Sequence, residues 1–415
     1  MGLGVGACSS TVPVYIAECA EPRNRGALAT IPQLCISSGI LLSFFVALGV
    51  TLSTDGAWRL MTGFALVPAF AHALCVAFLL PESPRWLLGR GGPDATAKAR
   101  AALARLRGVS KTARPLGGGG TKAEEAAAAG EGGPLPAELE LEFAGLVEGL
   151  AREEAAAAAG GGEGAGKGQS SEKTGFAAIL TEPKLRRLAL VCMGLQMFQQ
   201  FAGINAIVYF TPQTLKQAGV PLLFQRFGLE DNAASLVATI LAYLPKIPAI
   251  FLAMRLMDVL GRRKLLKTFI PGLAACLFTL SAVFTALTSP PPVGGLGAFV
   301  AQGLGAFAAW APGALALLCI CLYGMCFQLS LGPIPTILSS EVFPSRCRSA
   351  GMACSLGSQF FFNTMVGLAF PVLRHRFGSS AAFAVFGAVC LVAWAFCDRF
   401  VPETSGLALE ELSSK

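Results

Sequence analysis

Long apolar stretches, separated by short polar gaps, run through most of the chain. A helix needs about 20 consecutive, mostly apolar residues to cross a bilayer. Stretches near that length predict nine membrane-spanning helices, of which the first is short: roughly 2–17, 27–51, 58–80, 188–211, 233–256, 266–288, 311–339, 350–373 and 380–400. The pattern therefore predicts an all-α protein that crosses a membrane many times.

One long segment, 82–187, interrupts this pattern and separates three spans from six. We predict an amphipathic basic helix on the membrane surface from Pro93 to Gly108, a short helix from Ala137 to Ala151, and a Gly/Ala-rich disordered insert elsewhere. The predicted organisation is a partial amino-terminal half at 1–81, a cytoplasmic loop at 82–187, a six-helix half at 188–401 and a cytoplasmic tail at 402–415.

Composition and charge agree with a membrane protein. The chain is 54% hydrophobic and only 14% charged, whereas soluble domains carry about 25% charged residues. Basic residues follow the first, third, fifth and seventh spans, which assigns those gaps to the cytoplasmic side. Arg374 and Arg376 lie on the opposite side and have no explanation beyond contact with lipid headgroups. Nine spans with a cytoplasmic carboxyl end place Met1 outside, so we expect further helices upstream of it.

Candidate enzyme chemistry is sparse. The chain has two histidines, His72 and His375, and its thirteen cysteines lie mostly inside apolar stretches without metal-ligand spacing. We find no pattern of a nucleophile with its base. The sequence therefore predicts no enzyme activity, no cofactor, no metal site and no nucleic-acid partner.

Four amides stand out within the apolar stretch QMFQQFAGINAIVYFTP. These are Gln196, Gln199, Gln200 and Asn205, and helical spacing places several of them on one face. Hydrocarbon offers an amide no partner, so we expect this face to point inward. The amides could satisfy one another across a helix bundle, or they could line a cavity that binds a ligand rich in hydroxyls. Gly203 predicts a locally weakened helix beside them.

Six motifs occur in order along the chain: VPVYIAECAEPRNRGAL, PESPRWLL, QQFAGINAIVYF, DVLGRRKLL, GPIPTILSSEVFPSRCR and VPETSG. Together they resemble the sugar-porter family of the major facilitator superfamily, over nearly the whole chain except 112–175. The resemblance implies a twelve-helix fold of which this chain holds helices four to twelve. It implies transport of a hexose-like monosaccharide by alternating access, as a facilitator or a proton symporter.

The resemblance also implies a set of binding-site positions. Glutamines in membrane helices also serve as helix-to-helix contacts, and aromatic residues there also serve as ordinary packing. Gly332, Pro333 and Pro335 are the implied hinge, and Thr336 stands where the family often has a tryptophan that stacks on the sugar. The implied substrate-binding residues are Gln33, Gln196, Gln199, Gln200, Asn205, Tyr209, Lys246, Phe327, Gln359 and Asn363.

Lys246 departs from the asparagine that many members of the family carry. A lysine near the middle of a span costs at least about 3 kcal/mol on insertion scales. It could donate to a sugar hydroxyl, attract an acidic substrate, take part in proton coupling, or extend to the interface as a structural residue.

The resemblance further implies a cytoplasmic gate of ion pairs that break when the protein opens inward; the arginines alone would also fit membrane anchoring. Its members are Glu18, Arg25, Glu82, Arg85, Asp258, Arg262, Arg263, Glu341, Arg348 and Glu403.

Two other functions fit the sequence. One is transport of another polyol or a small organic acid, which Lys246 and Thr336 suggest. The other is a truncated, carrier-like protein that does not transport. The expected partners are a small sugar and the lipid bilayer, with protons as a further partner in the symporter alternative. The expected location is the plasma membrane, with an organelle membrane as the alternative.

Overall fold

Helices form all the regular structure in the described part of the chain. The computed structural model describes residues 2–20, 25–53, 58–91, 94–108, 136–159, 175–224, 228–288, 305–343 and 347–401. Its helices are α1 Gly2–Cys19, α2 Arg25–Ser53, α3 Trp58–Phe64, α4 Leu66–Phe78, α5 Pro84–Arg90, α6 Ala95–Leu106, α7 Ala137–Ala159, α8 Gly175–Thr181, α9 Pro183–Phe201, α10 Ile204–Gln217, α11 Pro221–Phe224, α12 Asp231–Tyr243, α13 Lys246–Leu260, α14 Arg262–Thr288, α15 Gly305–Leu329, α16 Ile334–Val342 and α17 Arg348–Phe400.

The described residues contain seven helices long and apolar enough to cross a membrane, where the sequence predicted nine spans. One of them, Ser349–Phe400, contains two of the predicted spans, and Gly378 between them has non-helical backbone angles. The first predicted span, 2–17, is not among the seven. It forms a helix, but its glycines, serines and Glu18 lower its hydropathy.

The chain divides into two compact units, one of residues 1–32 and 65–172 and the other of residues 33–64 and 173–415. The first boundary falls inside α2, directly after Pro32. The four-part division predicted from the sequence differs from this and stays a prediction.

The first unit contains a small cluster of short helices that precede and follow the long polar segment. Phe143 of α7 is 3% exposed and packs with Ala99 and Leu103 of α6 and with Leu87 of α5. The helix predicted from Ala137 to Ala151 continues to Ala159, because the alanines that follow are the strongest helix formers. The predicted disordered insert falls mainly at 109–135 and 160–174, outside the described residues.

The second unit contains the main apolar core. Residues of α9, α14, α15 and α17 form one buried cluster, which includes Leu195, Leu266, Tyr323 and Phe383. A second, smaller cluster joins Leu41 of α2 to Ile240 and Tyr243 of α12. The polar groups described next lie among these helices.

Candidate functional site

The helix that carries the four amides breaks at Ala202 and Gly203, which we call the glycine break. α9 ends at Phe201, α10 begins at Ile204, and Gly203 has φ +87°. A Cβ at this position would lie 2.7 Å from Cδ2 of Phe386. Both the backbone angle and the close ring therefore require glycine, and the local weakening predicted from the sequence is present.

The glycine break leaves a carbonyl that a buried tyrosine satisfies. The Tyr323 hydroxyl, on α15, donates a 2.8 Å hydrogen bond to the carbonyl of Ala202. Tyr323 is fully buried and packs against Phe327 at 6.3 Å between ring centroids. Tyr323 therefore fixes the glycine break to α15, a contact that the sequence analysis missed.

A second interruption lies between α15 and α16 at residues 330–333, which we call the proline break. α15 ends at Leu329 and α16 begins at Ile334. In a continuous helix the carbonyl of Leu331 would accept from the N–H of residue 335, but Pro335 has no N–H. The proline break therefore presents carbonyl oxygens without a helical partner.

Gln199 connects the two breaks. Its Nε2 donates to the carbonyls of Leu331 and Gly332 at 2.7 and 2.9 Å. Its Oε1 accepts a 3.0 Å hydrogen bond from Nε2 of Gln200, whose own Oε1 accepts from Nδ2 of Asn205 at 2.5 Å. We call these three side chains the amide relay. These side chains satisfy one another's hydrogen bonds, which is one of the two arrangements that the sequence allowed. Gln199 also reaches across to the proline break.

Gln196 lies next to the amide relay and is incompletely satisfied. Its side chain is fully buried, and Nε2 donates to the hydroxyl of Thr336 at 3.3 Å. Its Oε1 has no donor within the described residues. A buried acceptor without a donor is costly, so this oxygen is available to a ligand hydroxyl.

A further amide, Gln328, was missed by the sequence analysis. It is 5% exposed, its Oε1 accepts from Gln33 at 3.5 Å, and its Nε2 donates to the hydroxyl of Ser37 at 3.3 Å. The sequence indicated a role for Gln328 only through its position, since an amide there precedes the implied hinge residue Gly332 by four residues. Gln328 adds a second polar group, formed by α2 and α15.

Lys246 is buried instead of extending to the interface. Its side chain is 3% exposed and its Nζ lies 3.6 Å from the ring centroid of Tyr243. A Cβ at Gly324 would lie 2.3 Å from Cε of Lys246, so the glycine makes room for the lysine. Phe44 of α2 packs edge-on against the same tyrosine ring at 5.4 Å.

The remaining predicted binding residues differ in their surroundings. Tyr209 is 55% exposed, whereas Phe327 is buried among apolar side chains. Gln359 and Asn363 of α17 are partly exposed, and neither makes a hydrogen bond to a described residue. Their assignment to a binding site stays a prediction.

Five gate residues have no described side chain: Glu403 lies outside the described residues, and the side chains of Arg25, Asp258, Glu341 and Arg348 are not described. Two gate side chains of the second unit are described, and their assignment to a gate stays a prediction. Arg262 donates to the carbonyl of Met257 at 3.1 Å, and Arg263 lies 3.6 Å from the carboxylate of Asp398. Asp398, which the sequence analysis did not select, also pairs with Lys267 at 2.6 Å.

In the first unit, Glu18 and Arg85 are partly exposed and Glu82 is exposed. Two ion pairs in this unit join α6 and the residue that follows it to α7. Arg107 binds both oxygens of Glu142, at 3.1 and 2.5 Å, and Arg100 pairs with Glu140 at 3.1 Å.

Arg105 of α6 and Arg107, which directly follows α6, also reach the carboxyl ends of other helices in the first unit. Arg107 donates to the carbonyl of Cys19 at 3.1 Å, and Arg105 donates to the carbonyl of Phe78 at 3.2 Å. These carbonyls are at the ends of α1 and α4, where a cation is favourable. Within the described residues, no group of three or more His, Cys, Asp or Glu is placed to hold a metal ion.

Comparison with known proteins identifies a protein family whose model matches most of the chain. The model of the family described as "Sugar (and other) transporter" matches residues 1–130 and 151–415. The unmatched residues, 131–150, contain the first part of α7.

Individual relatives agree with that match. The chain is 31% identical over 417 residues to probable polyol transporter 6 of Arabidopsis thaliana, covering all of this chain and 73% of that protein. It is 30% identical to trehalose transporter 1 of Drosophila melanogaster, covering all of this chain and 39% of that protein. Among solved structures, the proton:xylose symporter XylE bound to 6-bromo-6-deoxy-D-glucose aligns at 26% identity with a TM-score of 0.61, covering all of this chain and 72% of that one.

Proposed function

Because the chain belongs to the family of sugar (and other) transporters, we propose that it carries a monosaccharide across a membrane by alternating access. It is an integral, multi-pass membrane protein of the major facilitator superfamily and a transporter, not an enzyme. The substrate is a hexose-like sugar, and the similarity to a polyol transporter makes a related polyol the nearest alternative.

The observation that carries this proposal is the row of buried amides at the two helix breaks. Gln196, Gln199 and Gln200 are at most 5% exposed, although they lie in a helix of a membrane protein. An amide both donates and accepts, so it suits a ligand with many hydroxyls. The free Oε1 of Gln196 offers an acceptor to such a ligand.

The same residues give the binding site a route to conformational change. Interrupted helices let backbone groups face a ligand and let one helix segment move relative to the next. Gln199 joins α9 to the proline break, so a sugar that competes for the amide relay alters the contact between these segments.

Several finer assignments belong to the same proposal. The membrane helices correspond to helices four to twelve of a twelve-helix carrier, divided into a partial half at 1–81, a loop at 82–187, a six-helix half at 188–401 and a tail at 402–415. The predicted gate residues close the cytoplasmic side. Proton coupling is proposed by analogy with the symporter XylE, and the plasma membrane is the proposed location.

Uptake measurements test the proposal. The chain, expressed in cells without endogenous hexose uptake, is assayed with radiolabelled hexoses, a pentose and a linear polyol. Asn205→Ala and Gln200→Ala should each abolish uptake, because each removes one member of the amide relay. Gln213→Ala is the control, since Gln213 is an exposed amide on the same helix as Asn205.

Membrane levels of all variants are measured alongside uptake. Loss of transport at an unchanged membrane level supports the binding site. Transport that persists in both relay variants assigns the relay to packing. A wild-type chain that reaches the membrane and carries none of these compounds refutes the proposed function.

A further inference from the structure

We infer that Lys246 makes this carrier a transporter of acidic sugars, in which the ammonium group pairs with a carboxylate on the substrate. The inference rests on the proposed function and names the class of substrate more closely.

Within the described residues, no acidic side chain forms an ion pair with Lys246. The side chain is 3% exposed, and its Nζ has no hydrogen bond or ion pair to a described residue. The groups around it are the ring of Tyr243, the backbone at Gly324 and the thiol-bearing Cys321 of α15. A desolvated contact with an aromatic face is worth about 2 kcal/mol or more, whereas a charge at the centre of a span costs about 3 kcal/mol on insertion scales and more in simulations, so the ring does not replace a carboxylate partner.

The sequence shows where acidic residues lie in the helices of the unit that contains Lys246. From 183 to 401 the only acidic residues are Glu230, Asp231, Asp258, Glu341 and Asp398, and all lie at or near the ends of predicted spans. Helix α2, whose Phe44 packs on Tyr243, contains no acidic residue. These helices therefore contain a buried cation without an internal carboxylate, and a substrate can supply one.

The neighbouring polar groups specify the rest of the ligand. Gln328 lies four residues after Gly324 on α15, one helical turn or about 6 Å along the axis. It bonds to Gln33 and Ser37, so amides and a hydroxyl lie one turn from the lysine. A carboxylate on one side of a sugar and hydroxyls on the other span a similar distance.

The charge of the ligand follows from the single lysine. One ammonium balances one negative charge, as a carboxylate provides. A phosphate monoester carries about −1.5 to −2 charges at neutral pH and would leave an excess. A uronic or aldonic acid therefore fits better than a sugar phosphate.

Uptake of D-glucuronate and D-glucose by the full chain in proteoliposomes tests the inference. Wild type should carry D-glucuronate. Lys246→Gln should lower the ratio of D-glucuronate uptake to D-glucose uptake at subsaturating concentration by about tenfold or more, which corresponds to about 1.4 kcal/mol. Lys246→Arg should retain D-glucuronate uptake. Lys264→Gln is the control, since it removes the same charge from an exposed site.

A second measurement keeps the test decisive if a variant folds poorly. Thermal unfolding of the wild-type protein with each compound reports binding without any substitution. If the wild type binds glucose but neither binds nor carries glucuronate, the inference is overturned and the proposed function stands. Full glucuronate uptake by Lys246→Gln also overturns the inference without affecting the proposed function. Binding and uptake of neither compound overturns the inference, and it removes the proposed function for hexoses as well.

Discussion

Gln199 Nε2 donates a 2.7 Å hydrogen bond to the backbone carbonyl of Leu331, although the two residues lie 132 positions apart in the chain. The carbonyl needs this donor because Pro335 removed its helical partner. A side chain that is only 5% exposed therefore replaces a backbone hydrogen bond within the helix bundle. The same amide ends the amide relay, so the relay and the proline break depend on each other.

Replacing Gln199 with glutamate tests this dependence. Gln199→Glu keeps the shape of the side chain but replaces its amide donor with a carboxylate oxygen, which faces two carbonyl oxygens. We expect a loss of at least about 1–3 kcal/mol of stability, because that is the cost of an unsatisfied buried neutral group and a charged group costs more. Thermal unfolding in detergent measures it. Gln213→Glu introduces the same change at an exposed position and should leave the unfolding temperature nearly unchanged. Equal unfolding temperatures for the two variants would contradict the role of Gln199.

The hydroxyl of Tyr323 gives a second prediction. Tyr323→Phe removes only the oxygen that donates to Ala202, so the carbonyl at the glycine break loses its partner. We expect a destabilisation of about 1–3 kcal/mol, because both groups are buried. Tyr209→Phe removes the same atom from a side chain that is 55% exposed, and thermal unfolding should hardly change. If Tyr209→Phe is as destabilising as Tyr323→Phe, the carbonyl contact is not what stabilises the glycine break.

A third prediction concerns the anchoring of α7. Phe143 is 3% exposed against α5 and α6, whereas Leu141 of the same helix is 75% exposed. Phe143→Ala should remove much of the apolar contact that holds α7, at a cost of about 2–4 kcal/mol for this small cluster. Hydrogen–deuterium exchange should then rise in α7 and α6. Leu141→Ala should leave the exchange unchanged, and a similar rise in both variants would show that α7 is not held through Phe143.

The sequence predicted the amides well because their burial follows from chemistry alone. An amide in a membrane span must find a partner, so Gln196, Gln199 and Gln200 were expected to face inward, and all three are buried. The break at Gly203 was also predicted, since glycine weakens a helix locally.

The partners of these amides were beyond prediction from local patterns. Leu331, Thr336 and Tyr323 meet α9 and α10 only through the packing of distant helices. Gln328 was missed for the same reason. It belongs to a polar group only because it donates a hydrogen bond to Ser37, which lies 291 residues away in the sequence. The count of nine spans was not confirmed, since hydropathy does not decide how a weakly apolar helix such as α1 is placed.

The ion pairs of α7 affect how chimeras of this carrier are designed. The family match stops at 130 and resumes at 151, so an exchange of loops between relatives would naturally use these two junctions. Such an exchange would remove Glu140 and Glu142, the carboxylates that hold Arg100 and Arg107. Arg107 also caps the carboxyl end of α1, so the graft would disturb α1 through a residue that it does not replace. Junctions placed after Gly108 and before Gly175, with α7 retained, avoid this loss.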